Sequence, residues 1–200
     1  MMDQQAKNKW NSIYSSAEIK TKNVSQGLCE NAHLLAAGGH ALDLACGTGG
    51  DAIFLASKGY SVDAWDISNT VTEKISAYAT ENNLNINAEA RDINVSPPAS
   101  ASYDLVTVAH YLERSLAAVL IDALKPGGLL IYQTFTRTVT PSYSGPSNPE
   151  FRLADNELLS LFSGLKVIVY REEALLGDTS IGLRNEALLI AQKSLFSTMR

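Results

Sequence analysis

Apolar and polar positions along the chain switch repeatedly between a run or alternation that suits strands and a one-face spacing that suits helices. The first strand signal is "ALDLA" at 41–45, apolar except for Asp43. "YSVDAWD" (60–66) sets Val62 and Ala64 against polar neighbours and stops at Asp66, and "INAEARD" (86–92) is a third strand. "YDLVTVA" (103–109) is the apolar, β-branched run of a central parallel strand. "LLIYQTF", "LKVIVYRE" (165–172) and "EALLIAQK" (186–193) complete a set of seven.

Helical segments fall between them. Residues 25–37 end at Gly38-Gly39, and "GGDAIFLASKG" gives a helix from about 50 to 58 closed by Gly59. Residues 69–82 place Val71, Ile75, Tyr78 and Ala79 on one face, with Thr70 and Glu73 spaced for a capping box. "LAAVLIDALKPGG" (116–128) is a helix stopped by Pro126 and two glycines, and a short helix is expected at 155–163. Residues 136–149, with three prolines and one glycine, read as a mobile loop.

Strands alternating with helices predict an α/β fold: a doubly wound, mostly parallel seven-stranded sheet covered on both faces. A loop rather than a helix joins the last two strands, so they are expected to pair as a C-terminal antiparallel hairpin. In such a sheet the ligand crevice lies beyond the carboxyl ends of the strands, where strand order reverses. Asp43, Asp66, Asp92 and Ala109 all stand at such ends.

Composition narrows the function. Two hundred residues at 46% hydrophobic suit one domain with a sizeable core. A net charge of −5 argues against phosphate-driven binding of nucleic acid. No apolar run is long enough to span a membrane, and the polar start "MMDQQAKNKWNSIYSS" has no signal-peptide core, so a cytoplasmic location is expected. Two cysteines and three scattered histidines show no metal-ligand spacing, and no metal is expected.

The turn "GTGGDA" (47–52) fits a loose G-x-G-x-x-A, with Asp66 at the distance of a ribose-binding acid, so an NAD enzyme is one reading. Asp51 in the first helical turn opposes it, because a pyrophosphate wants backbone N–H groups and positive charge there. A ligand without phosphate, carrying an ammonium and a ribose, accounts better for the acids.

"LDLACGTG", "VDAWDIS", "ARDI", "YDLVTV" and "LKPGGLLIY", in this order and spacing, resemble the class I S-adenosylmethionine (SAM)-dependent methyltransferases over about residues 25–193. Within them the chain is similar to the small tellurite-resistance-type methyltransferases, through "GGHALDLACGTGGDAIFLASKGYSVDAWDIS", "HYLERSL" and "GPSNPEFRLADNELLSLF". It departs from that subgroup in having His110 where arginine is common and in lacking a proline near Ser25.

The resemblance implies SAM as cofactor, a domain over 25–200 and a cap segment over 1–24. Asp43 would accept from the methionine ammonium, or only cap loop N–H groups. Ala45, Gly47 and Gly49 would let the backbone approach the cofactor. Asp66 would take the ribose hydroxyls, with Ile67 on the adenine, although a helix N-cap is the plainer role for it. Asp92 and the Ile93 N–H would meet the adenine edge, the alternative for Asp92 being a solvated turn acid. Ala109 would line the crevice. Trp10 and Tyr14, one helical turn apart in "KWNSIY", are either core anchors or part of a segment closing over the cofactor.

His110, Tyr111 and Arg114 are the catalytic candidates beyond strand four, with Arg152 and Arg184 as substrate anchors for an anion. The plainer reading of "HYLER" is a helix start with a solvated Glu113/Arg114 pair. The expected acceptor is a small soft anion of tellurite, selenite or thiolate type, which needs no general base. The alternative is a small amine or hydroxyl metabolite with His110 as base, and a non-catalytic SAM-binding module is the rival of another class. No nucleic-acid or membrane partner is expected, and the chain is expected to act as a monomer or homodimer.

Overall fold

The computed structural model describes residues 3–19, 21–139 and 145–195. Seven strands form one sheet: β1 Gly39–Leu44, β2 Tyr60–Asp66, β3 Ile86–Ala90, β4 Tyr103–Ala109, β5 Leu124–Phe135, β6 Lys166–Arg171 and β7 Glu186–Gln192. Their order is β3-β2-β1-β4-β5-β7-β6. Strands β1 to β5 run parallel, while β7 lies antiparallel between β5 and β6, so the expected terminal hairpin is present. Order reverses between β1 and β4, which places the crevice above Asp43 and its register partner Thr107.

The period-two alternation decides which face each residue serves. Leu42, Leu44, Val106 and Val108 point into one core with Leu116, Leu120, Leu158 and Phe162. Ala41, Val62, Ala64 and Leu105 point into the other with Leu28, Ala52, Leu55, Val71 and Ile75. Asp43 and Thr107, in phase with the second set, therefore turn toward the helix that follows β1.

The helices are α1 Gln4–Ser15, α2 Gln26–Glu30, α3 Gly50–Ser57, α4 Asn69–Glu81, α5 Ala117–Ala123 and α6 Glu157–Leu161. Five local expectations change. The helix expected over 25–37 stops at Glu30 and resumes as a 3-10 turn, Ala32–Leu34. Asn31 is the cause: its side-chain amide donates to the Gly27 carbonyl, the acceptor its own backbone N–H would use in a continuing helix.

The helix expected to reach 128 ends at Ala123. Residues 124–128 instead open β5 through a register shift against β4, with Pro126 unable to donate and Gly127 at φ +81°. At α4 the cap is Ser68, whose hydroxyl accepts from the Val71 N–H, and Glu73 takes the Asn69 amide instead of closing a box with Thr70. Strand β3 ends at Ala90, leaving Asp92 in the turn beyond it, and the last short helix spans only Glu157–Leu161. Of the loop expected at 136–149, residues 140–144 lie outside the described residues. No helix among the described residues is long and apolar enough to cross a membrane.

Candidate active site

Three carboxylates gather under the β1–α3 turn. Asp43, 2% exposed, accepts from the Ala52 N–H at 2.9 Å. Burial, reinforced by neighbouring Asp51, holds its carboxyl well above the usual range. Asp51 accepts from the Ser25 N–H (2.7 Å), the Ser25 hydroxyl (2.8 Å) and Thr107 Oγ1 (3.3 Å), and burial raises it against those bonds. It thereby pins residues 23–25 over the start of α3, where a Cβ on Gly50 would meet the Asn23 carbonyl oxygen at 2.1 Å. Asp66 accepts from the Gly47 N–H (3.1 Å) and the Ser68 N–H (2.9 Å), again with its carboxyl raised by burial.

The turn itself needs unusual backbone. Ala45, Gly47 and Gly49 adopt φ of +57°, +51° and +78°, and the Cys46 N–H donates to the Trp65 carbonyl, tying the turn to β2. Among the described residues no lysine or arginine pairs with Asp43, Asp51 or Asp66. Asp43 and Asp66, raised by burial and without a lysine or arginine partner, fit a ligand that brings a cation, such as SAM with its ammonium and sulfonium.

Helix α1 closes over this turn. Asp3 caps it, and the Asp3 N–H donates to Asp92 Oδ2 at 2.9 Å. Asn11 accepts from the Ser68 hydroxyl (2.7 Å) and donates to Asn69 (2.9 Å). Lys74 Nζ donates to the carbonyls of Tyr14, Ser15 and Ala17 at 2.8, 2.9 and 2.7 Å, a cation on the helix C-terminus. Tyr14 stacks on Trp10 with ring centroids 5.5 Å apart, and its hydroxyl lies against Gly47. Burial, with Asp66 and Cys46 nearby, pushes the Tyr14 phenol up. Asp92 also accepts from the Asn94 N–H at 3.1 Å, so it serves its turn as well as the crevice. Ile67 is half-buried beside Asp66, whereas the Ile93 side chain packs into the core.

Ala109, half-buried, ends β4, and the chain turns at His110 with φ +57° while the His110 N–H donates to the Gln133 carbonyl. The imidazole stacks on Phe135 (4.9 Å, 26°), and Nε2 lies 3.2 and 3.1 Å from Glu186 Oε1 and Oε2. That bond raises the His110 pKa above its ordinary value. Tyr111 is half-buried beside Asp92 and Asp66, and burial, chiefly, pushes its phenol up to about 12.

The arginines do not converge here. Arg114 Nε and Nη2 clasp Glu157 Oε1 and Oε2 at 2.5 and 3.0 Å, and Nη1 and Nη2 donate to the carbonyls of Glu150 and Arg152. Arg184 donates to the carbonyls of Ile181, Leu176 and Asp178 and organises the β6–β7 loop. Arg152 Nη2 reaches the Ser147 carbonyl at 3.3 Å. Arg114, a catalytic candidate, and Arg184, an expected substrate anchor, each spend these donors on bracing a loop. Glu186, Gln133, Ser25 and Thr107 were not legible as site residues, since strand register and a 76-residue separation bring Glu186 to His110. A separate cavity of about 160 Å³, lined by Leu34, Leu35, Tyr60, Asp104 and Leu129, opens at the amino-terminal ends of the parallel strands, away from the crevice.

A doubly wound sheet with acids at the ends of its first two strands, a positive-φ turn between β1 and α3 and an antiparallel β7 is the architecture of the class I SAM-dependent methyltransferases, to which the chain is similar. A methyltransferase-domain family model matches residues 41–128. The chain is 30% identical over 105 residues to a ubiquinone biosynthesis O-methyltransferase of Coxiella burnetii, covering 50% of this chain and 45% of the relative. It is 28% identical over 139 residues to the "Probable S-adenosyl-L-methionine-dependent methyltransferase TehB" of Haemophilus influenzae, covering 66% and 47%. The crystal structure of TehB from Haemophilus influenzae superposes with a TM-score of 0.72 at 21% identity, covering 92% of this chain and 67% of that one. The chain spans less than half the length of the curated relatives it matches.

Proposed function

We propose that the chain transfers the methyl group of SAM to a hydroxyl or thiol of a small molecule, with His110 as general base. The observation that carries this reading is the His110–Glu186 pair at the end of β4, above the cofactor turn. SAM, when bound, supplies a methyl carbon on a sulfonium, so the acceptor displaces a good leaving group and alignment does most of the work. Asp43 would hold the ammonium, Asp66 the ribose hydroxyls, and Asp92 with the Ile93 N–H the adenine edge. Trp10 and Tyr14 on α1 would keep water from the cofactor. Glu186 accepts from Nε2–H, which leaves Nδ1 of a neutral His110 to take the acceptor's proton as its oxygen or sulfur bonds to carbon.

A second reading follows from the same histidine. Its raised pKa makes it a cation over a wider pH range, suited to an acceptor that is already an anion of tellurite, selenite or thiolate type. The two differ in the sign of their pH dependence. A base must be deprotonated, so turnover rises as pH rises through the His110 pKa; an anion anchor must be protonated, so turnover falls. The test is formation of demethylated cofactor from labelled SAM with phenols, thiols, amines and chalcogen oxyanions, for wild type and His110→Ala. A loss of 10²- to 10⁴-fold confined to hydroxyl and thiol acceptors is expected of a general base. Efficient turnover of oxyanions alone, falling with pH, would replace the first reading by the second.

A further inference from the structure

A chain of hydrogen bonds leads from α2 to His110 and settles the polarity of each link. The Gly27 N–H donates to Gln133 Oε1 at 2.6 Å, which orients the Gln133 amide so that its NH₂ faces away from α2. That NH₂ donates to Glu186 Oε2 at 2.6 Å. Glu186, with only 15% of its side chain exposed, then presents both oxygens to Nε2 of His110. Phe135, the register partner of Glu186 on β5, stacks on the imidazole and fixes its plane.

We infer that Glu186, held by Gln133, is a positioning residue that keeps the His110 proton on Nε2 and so presents Nδ1 as the free acceptor. This rests on the reading of His110 as the base for its catalytic consequence. The logic is that of a carboxylate behind a catalytic imidazole: it selects the tautomer and stabilises the imidazolium, without itself taking the proton. The charged groups acting on His110 are Glu186 from β7 and, through space, Asp51 from α3, and both favour the protonated ring. Burial opposes them. Glu186 is in turn held below the usual carboxylate range by its bonds to His110 and Gln133, against its own burial.

The variant Glu186→Gln separates charge from shape. The Gln133 NH₂ still demands an oxygen from residue 186 at the Oε2 position, 3.1 Å from Nε2, and the new NH₂ takes the Oε1 position at 3.2 Å, so the ring loses the carboxylate that favoured both Nε2–H and the imidazolium. Nitrogen-edited NMR of the histidine rings should show His110 titrating at lower pH than in wild type, with a smaller share of the neutral ring protonated on Nε2. Turnover at the optimum should fall 10²-fold or more while the KM for SAM stays within threefold, and Glu186→Asp should restore most of the rate. A His110 titration and tautomer identical to wild type in Glu186→Gln would overturn the assignment of Glu186. Undiminished turnover by His110→Ala would instead overturn the base reading, and with it the catalytic consequence. The NMR result distinguishes the two failures, since it is read without any substrate.

Discussion

The backbone N–H of Asp3 donates to the carboxylate of Asp92 across 89 residues of sequence, at 2.9 Å. The first described residue of the chain is thereby tied to an acid expected to face adenine. Helix α1 is held at its other end by Lys74, whose ammonium bridges three carbonyls. Between these ties lie Trp10 and Tyr14, above the Gly47 turn. On the proposed function, a cover fastened at both ends would shield the cofactor's charges from water.

Removing one tie should therefore weaken cofactor binding while leaving the sheet alone. Lys74→Ala is expected to raise the Kd for SAM about tenfold, or about 1.4 kcal/mol, with unchanged far-UV circular dichroism. Isothermal calorimetry reads the first quantity directly. Wild-type affinity in the variant would mean that α1 packs on α4 for structural reasons only.

Asp43 makes a prediction with a definite pH sign. Burial raises its carboxyl in the folded chain, so the folded state holds the proton more tightly than the unfolded one. Its contribution to stability is full below the ordinary carboxylate value of about 4 and fades as pH rises through the folded value. At neutral pH the ligand-free protein bears this cost. Asp43→Asn keeps an oxygen for the Ala52 N–H and removes the charge. It should raise the ligand-free Tm by a few degrees near pH 7, with the gap closing toward pH 4, and should abolish SAM binding. Thermal melts across that range, with and without SAM, check both halves; a lower Tm at neutral pH would contradict the account.

Asp66 sits at a strand end rather than in either core, and Gly47 and Ser68 N–H groups already fix its carboxylate. Asp66→Ala is expected to cost about 2 kcal/mol of SAM affinity, the order of a charged acceptor lost to buried hydroxyls. Titration with SAM and with its demethylated product should show equal losses, because both carry the ribose. Unequal losses would move Asp66 away from the sugar.

What could be read from sequence was whatever has short range. The phase of Leu42 and Leu44 against Ala41 and Asp43 requires only period two, and it assigns Asp43 to the crevice side of β1. Asp66 and the glycine turn are legible because strand ends and positive φ have local signatures. The fate of an arginine does not. Arg114 meets a carboxylate 43 residues later, and Arg184 spends its donors within its own loop. Glu186 reaches His110 only through the register of β7 on β5. The ends of α2 and α5 failed for a smaller reason, a single Asn31 side chain in one case and a β-bulge around Pro126 in the other.

Arg114 gives the prediction that separates a brace from a substrate anchor. Its fork holds Glu157, which also accepts from the Ala154 N–H at 2.7 Å, and its other donors hold the carbonyls of Glu150 and Arg152. The pairing lowers the Glu157 carboxyl below its ordinary value, so its contribution is present above that value and lost as pH falls through the folded one. Both side chains are partly exposed, which limits the pair to about 1 kcal/mol. Arg114→Ala should lower the Tm by a few degrees at neutral pH, and by less in acid, where wild type loses the same bond. The KM and kcat for the acceptor should stay within about threefold of wild type, since the guanidinium is spent on loop groups. Melting curves at pH 4 and 7, run beside steady-state kinetics, test both statements. An unchanged Tm with a large rise in acceptor KM would return Arg114 to the substrate site.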